Sequence, residues 1–128
     1  MKELEKYTNH AYALLRIMSG FMFLFHGAQK VLGLLAAMQP PIGSQLWIGG
    51  VIELIGGTMI MLGLKTRWVA FVCSGEMAVA YFQMHWRFQM DQNFFPIVNK
   101  GELAALYCFV FLLIATKGGV MWCLDKKD

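Results

Sequence analysis

The sequence predicts an all-α membrane protein, a four-helix transmembrane bundle with both termini in the cytoplasm. Three observations point there. Of the 128 residues, 58% are hydrophobic and only 15% charged, where a soluble domain carries about 25% charged residues. The apolar residues gather in four long blocks instead of alternating with charge. Lysine and arginine fall unevenly on the connections between the blocks. The whole chain, 1–128, reads as a single transmembrane domain.

The first block runs from about Ala11 to Gly33. Lys2 and Lys6 precede it and Ala36-Ala37 follows it, so a secretory signal peptide is the competing reading. The block is too long for that, it holds Arg16, and further apolar blocks follow. The second spans about Leu46–Leu64, the third about Trp68–Phe88 and the fourth about Lys100–Lys117. At ~1.5 Å per residue each reaches roughly 27–34 Å, enough for a hydrocarbon core. Helices are the expected form, because unpaired backbone groups cannot face lipid. Pro40-Pro41 and Gly43 break the chain between the first two blocks. Gly63 to Arg67 is a short basic turn, and Gln89 to Asn99 is a polar loop containing Asp91 and Pro96. Gly118-Gly119 ends the fourth block.

On the side of the termini and the second connection lie Lys2, Lys6, Lys65, Arg67, Lys117, Lys126 and Lys127. The other side has Lys30, Arg87 and Lys100. This imbalance orients the termini inward, in a bacterial cytoplasmic membrane. Trp47 and Trp86 then mark the outer interface, Trp68 and Trp122 the inner one.

Several function classes are excluded. A net charge of +3, widely dispersed, makes no nucleic-acid surface. The three cysteines, Cys73, Cys108 and Cys123, form no CxxC and read as reduced packing residues. No metal site is legible, and there is no P-loop, GxGxxG or Ser-His-Asp set. The ten methionines read as packing.

What remains is a set of ionisable side chains inside the spans, where they are costly and need partners. On the first helix His26 and Lys30 lie in the outer half, roughly 6 and 12 Å from the midplane. Glu53 lies just outside the midplane of the second helix, and Glu76 near that of the third. His85 and Glu102 lie near the outer ends of the third and fourth. Together these six form an outer-half polar site. Arg16 and Asp125 form a separate inner-side pair of polar residues, with Arg16 expected on inner-end carbonyls or on Asp125. Arg16, Gly20, Phe23, Gly27 and Lys30 share one helical stripe, as do Gly49, Glu53, Gly56, Gly57, Ile60 and Gly63. His85 is nine residues from Glu76, about 180° around the helix, so the two face different neighbours.

These residues resemble the DoxX family of small bacterial inner-membrane proteins. The likeness runs through Leu15-Arg16, Gly20, Phe23, Phe25-His26-Gly27 and Lys30, then Glu53, Gly56-Gly57, Gly63-Leu64 and Thr66-Arg67. It continues in Met77, Ala80, His85, Asn99-Lys100-Gly101-Glu102, Leu106-Tyr107, Gly118-Gly119 and Leu124-Asp125. The usual Gly-x-Gly near the tail is replaced by Gly118-Gly119-Val120. The resemblance implies a four-helix membrane fold and a redox-associated subunit, as in relatives linked to thiosulfate:quinone oxidoreductase or to membrane complexes of thiol and oxidative-stress defence. A quinone is the cofactor this suggests. A bis-histidine haem on His26 and His85 is a geometric alternative with much less behind it. The expected partners are the lipid bilayer, a membrane or periplasmic redox protein, and further copies of the chain. The competing readings are a non-catalytic scaffold subunit and a small-solute or proton pathway.

Overall fold

The computed structural model describes residues Met1–Lys126. Lys127, counted above on the basic side, and Asp128 lie outside the described residues. The chain is all-α: a short α1 (Lys2–Glu5), then α2 (Thr8–Leu32), α3 (Gln45–Leu62), α4 (Thr66–Ala80), a four-residue α5 (Pro96–Asn99) and α6 (Glu102–Lys117). Two of these, α2 and α3, are each long and apolar enough to cross a membrane.

The helices pack as two pairs, α2 with α3 and α4 with α6, and the pairs touch each other more sparsely than their members do. The first pair is built on glycine. A Cβ on Gly20 would run into the Gly57 carbonyl and the Met61 backbone, and one on Gly27 into the Gly50 carbonyl and the Leu54 backbone. The two backbones therefore lie in direct contact, which only small residues permit. The second pair packs larger side chains. Cys73 and Met77 of α4 share a core with Tyr107, Phe111 and Ile114 of α6, and the Ser74 hydroxyl donates to the Cys108 carbonyl at 2.7 Å. Phe23 ties the pairs together, 4.7 Å from Phe111 and 5.2 Å from Tyr107 between ring centroids.

Helix ends follow local chemistry. α2 and α3 close on Gly33 and Gly63, both left-handed (φ 67° and 70°), a conformation glycine adopts without strain. Ser44 caps α3 by accepting from the Trp47 N–H at 3.3 Å. The third block, expected as one helix to Phe88, is α-helical only to Ala80 and continues as a π-helical turn over Tyr81–Trp86. The fourth, expected from Lys100, begins at Glu102. Lys100 is left-handed (φ 60°) and the Asn99 side chain accepts from the Gly101 N–H at 2.7 Å, which turns the chain first.

The tail is the largest departure from expectation. It folds back across the end of the bundle where α3 stops. Leu124 N–H donates to the Leu62 carbonyl at 3.1 Å, and Asp125 N–H to the Gly63 carbonyl at 2.8 Å.

Candidate functional site

Two polar centres lie at opposite ends of the helix pairs. At one, the Lys30 ammonium donates to both oxygens of Glu53, at 2.7 Å each. Glu53 is 3% exposed. The Lys30 stem lies across Gly50, where a Cβ would collide with it. The absent side chain is thus what lets the lysine reach Glu53, one turn further along α3.

This ion pair stands in the seam between the helix pairs and borders two cavities. One, of about 380 Å³, opens between α3 and α4 and is mostly apolar. Glu76 lines it, and among the described residues its Oε2 is buried with no hydrogen-bond partner. At the start of α3, Gln45 donates to the Gln83 side chain at 2.5 Å, on the same cavity's wall. The second cavity, of about 290 Å³, adds His26, His85, Lys100 and Tyr107 to the Lys30–Glu53 pair, with Phe23, Leu46, Met77 and Met84 as apolar wall. His26 meets the Tyr107 ring edge-on at 6.2 Å.

The π turn positions His85. A π turn holds an extra residue and is often found at functional sites. Here Asn93 braces it, donating to the His85 and Trp86 carbonyls at 3.2 and 2.9 Å. His85 Nδ1 lies 3.2 Å from the Asn99 carbonyl. A carbonyl only accepts, so Nδ1 carries the proton in this bond.

Four of the residues grouped from sequence, His26, Lys30, Glu53 and His85, line one cavity. Glu76 lines the other, which His85 does not, in keeping with the half-turn offset between them. Glu102 lines neither; it is exposed in the first turn of α6, where a carboxylate favours the helix dipole. Sequence reasoning gave Tyr107, Gln45, Met77 and Met84 no place in the site. Tyr107 falls on the Ala104, Tyr107, Phe111 stripe, whose spacing of three and four would have turned it inward. Gln45 carried no such signal.

The other centre is Arg16, fully buried. Nη1 donates to the Ile60 and Met61 carbonyls at 2.7 and 2.8 Å, and Nη2 to the Met121 and Trp122 carbonyls at 3.0 and 2.7 Å. One guanidinium thereby fastens the tail to α2 and the end of α3. Asp125 is not its partner. Asp125 accepts from the Lys65 and Thr66 N–H groups at 2.5 and 3.0 Å, capping α4. Burial alone would raise the Asp125 carboxyl. The hydrogen bonds from Thr66 and Lys65 and the charge of Arg16 outweigh it and hold the group below the usual aspartate range. The Tyr12 hydroxyl donates to the Gly118 carbonyl at 2.6 Å, and Arg67 donates to the Ala115, Thr116 and Lys117 carbonyls.

The DoxX family model matches residues 11–86, which carry Arg16, His26, Lys30, Glu53, Glu76 and His85. The chain belongs to the DoxX family. A relative from Haemophilus influenzae, described as an uncharacterized protein, is 42% identical over 131 aligned positions, covering 99% of this chain and 97% of the relative. No solved structure matches. This DoxX chain is thus a member of a membrane-associated family, with helices suited to a bilayer.

Proposed function

We propose that this protein is a multi-pass inner-membrane subunit of a redox system, with α2, α3, α4 with its π turn, and α6 as four spans of one domain over 1–128. Both termini are cytoplasmic, and the cavity beside Lys30–Glu53 takes a quinone headgroup. The carrying observation is a buried glutamate, Glu53, paired with a half-buried lysine on a cavity that also holds two histidines and a tyrosine. A quinone needs hydrogen-bond donors at its carbonyl oxygens and a proton source when it is reduced. Lys30, His26 and the Tyr107 hydroxyl are the donors. Glu53 holds Lys30 in place, and Glu76, on the adjoining cavity that the same ion pair borders, is the proton-handling carboxyl. Phe23, Leu46, Met77 and Met84 supply the apolar walls a ring requires. The quinone, when bound, supplies two-electron chemistry; the chain itself binds, orients and handles protons. Bound quinone or a redox partner in the membrane or periplasm makes it an oxidoreductase subunit.

The test is direct. Lipid extracts of purified protein should contain quinone by mass spectrometry, and added short-chain quinone should quench tryptophan fluorescence. His26→Ala with Tyr107→Phe should weaken the quenching about tenfold or more, as expected for two lost hydrogen bonds. Absence of copurified quinone together with no change on adding it rules out direct binding.

A scaffold role is the second reading. The observation in its favour is that Lys30 already satisfies both Glu53 oxygens, so the pair is complete without a ligand and can fix helix register by itself. An intact, active complex after replacing the pair by apolar residues decides for it.

A further inference from the structure

The largest cavity among those described, about 620 Å³, lies away from the quinone site, where the start of α4, the end of α6 and the tail meet. Four cationic side chains line it, Lys65, Arg67, Lys117 and Lys126, against one carboxylate, Asp125. That carboxylate is committed. Its two oxygens accept from the Lys65 and Thr66 backbone N–H groups. Arg67 is anchored on α6 carbonyls, which hold it in place and leave its charge intact. The Lys117 ammonium stands 5.0 Å over the Tyr12 ring. Among the described residues none of the four makes an ion pair with a carboxylate.

Clustered like charges repel, and a cavity walled by them draws in an anion. Its depth says which kind. Trp68 is on the cavity wall and 78% exposed, as an aromatic residue at a lipid–water interface would be. Trp122, on the same tail, is 54% exposed. The cavity is therefore level with lipid headgroups, and basic pockets at helix ends at that depth suit headgroup phosphates.

We propose that this cavity binds the headgroup phosphate of an anionic phospholipid. The lysines act as point charges on the phosphate, and Arg67 presents a fixed positive plane behind them. The lipid, so held, would brace α4, α6 and the tail at one point.

Native mass spectrometry of the full chain in detergent tests this, with phosphatidylglycerol and phosphatidylcholine as probes. Phosphatidylglycerol should bind at least tenfold tighter. Lys65→Gln/Lys117→Gln should weaken phosphatidylglycerol about 30-fold and leave phosphatidylcholine unchanged. Both lysines are exposed, so the variant should melt as the parent does. Lys2→Gln/Lys6→Gln removes the same charge elsewhere and should have no effect. Equal binding of the two lipids overturns the proposal. So does equal weakening by both double variants, which would mean diffuse attraction only. Displacement of the lipid by millimolar inorganic phosphate overturns it in favour of a soluble phosphate source.

Discussion

Arg16, fully buried, and Lys30, half-buried, are two cations on one stripe of one helix, and the protein uses them in opposite ways. Arg16 gives its donors to four backbone carbonyls from two separate segments. Lys30 gives its donors to one side chain, Glu53. The Arg16 partners are main chain, so no substitution can remove them with the arginine. The Lys30 partner is a side chain that can be removed with it. Arg16 does not line either seam cavity, whereas Lys30 lines both. The difference separates a latch from a cavity-lining cation: one surrounded by carbonyls closes the fold, and one paired to a side chain borders cavities that other polar side chains share.

The largest expected effect breaks the latch. Arg16→Leu strands the Met61, Met121 and Trp122 carbonyls, each costing about 1–3 kcal/mol when unpaired, and leaves Ile60 only its bond from the Gly63 N–H. We expect a loss of about 5 kcal/mol or more, read as failure to recover folded protein in detergent. Arg16→Lys should restore only part of it, because an ammonium cannot fork between two segments. A folded, normally melting Arg16→Leu protein would remove the distinction drawn above.

The Lys30 centre should respond differently to single and double changes. Lys30→Met leaves Glu53 buried and unpaired, at about 3–5 kcal/mol. Lys30→Met/Glu53→Leu should return to within about 1.5 kcal/mol of the parent in denaturant unfolding, since the desolvated pair disappears together. If the double variant is as unstable as the single, the pair belongs with the latch.

Asp125→Asn should cost about 1 kcal/mol, the usual value of a helix N-cap. Its pH dependence sharpens the reading. The folded carboxyl lies below its ordinary range, so its contribution is present above the unfolded value of about 3.9 and is lost as pH falls through the folded value. The melting difference between parent and Asp125→Asn should stay constant from about pH 7 to 5 and vanish at the acid end. A difference that grows on acidification would contradict the assignment.

The smallest stability effect belongs to Glu76→Gln. Its Oε2 has no partner among the described residues, so little bonding is lost and the change should stay within about 1 kcal/mol. The same variant should alter quinone-induced fluorescence quenching or its pH profile. If it alters neither, Glu76 lies outside the site.

The inward stripes of α2 and α3 were legible in the sequence, because helical spacing and costly charge both leave marks on a single segment. Gly20 of the first stripe faces Gly57 of the second, whereas Gly27 faces Gly50, which lies off the stripe read from spacing. Arg16 was expected on inner-end carbonyls and bonds Ile60 and Met61. The return of the tail was not legible. Met121 and Trp122 contribute backbone carbonyls, and a carbonyl has no residue identity to read. The π turn was equally hidden, since it is made of backbone bonds and braced by Asn93 from outside the helix. Glu102 shares the depth of the outer charges but not their rotation, and the turn at Lys100 leaves it exposed.

By itself, the sequence determined the all-α class, the apolar segments, the glycine stripe of α2 and which charges needed partners. Each is a property of one segment and its period. Only the tertiary structure decided which partner each charge took, and hence which of two similar cations is bonded to main chain and which borders a cavity. That choice depends on where other segments end, and on whether they offer a carbonyl or a cavity.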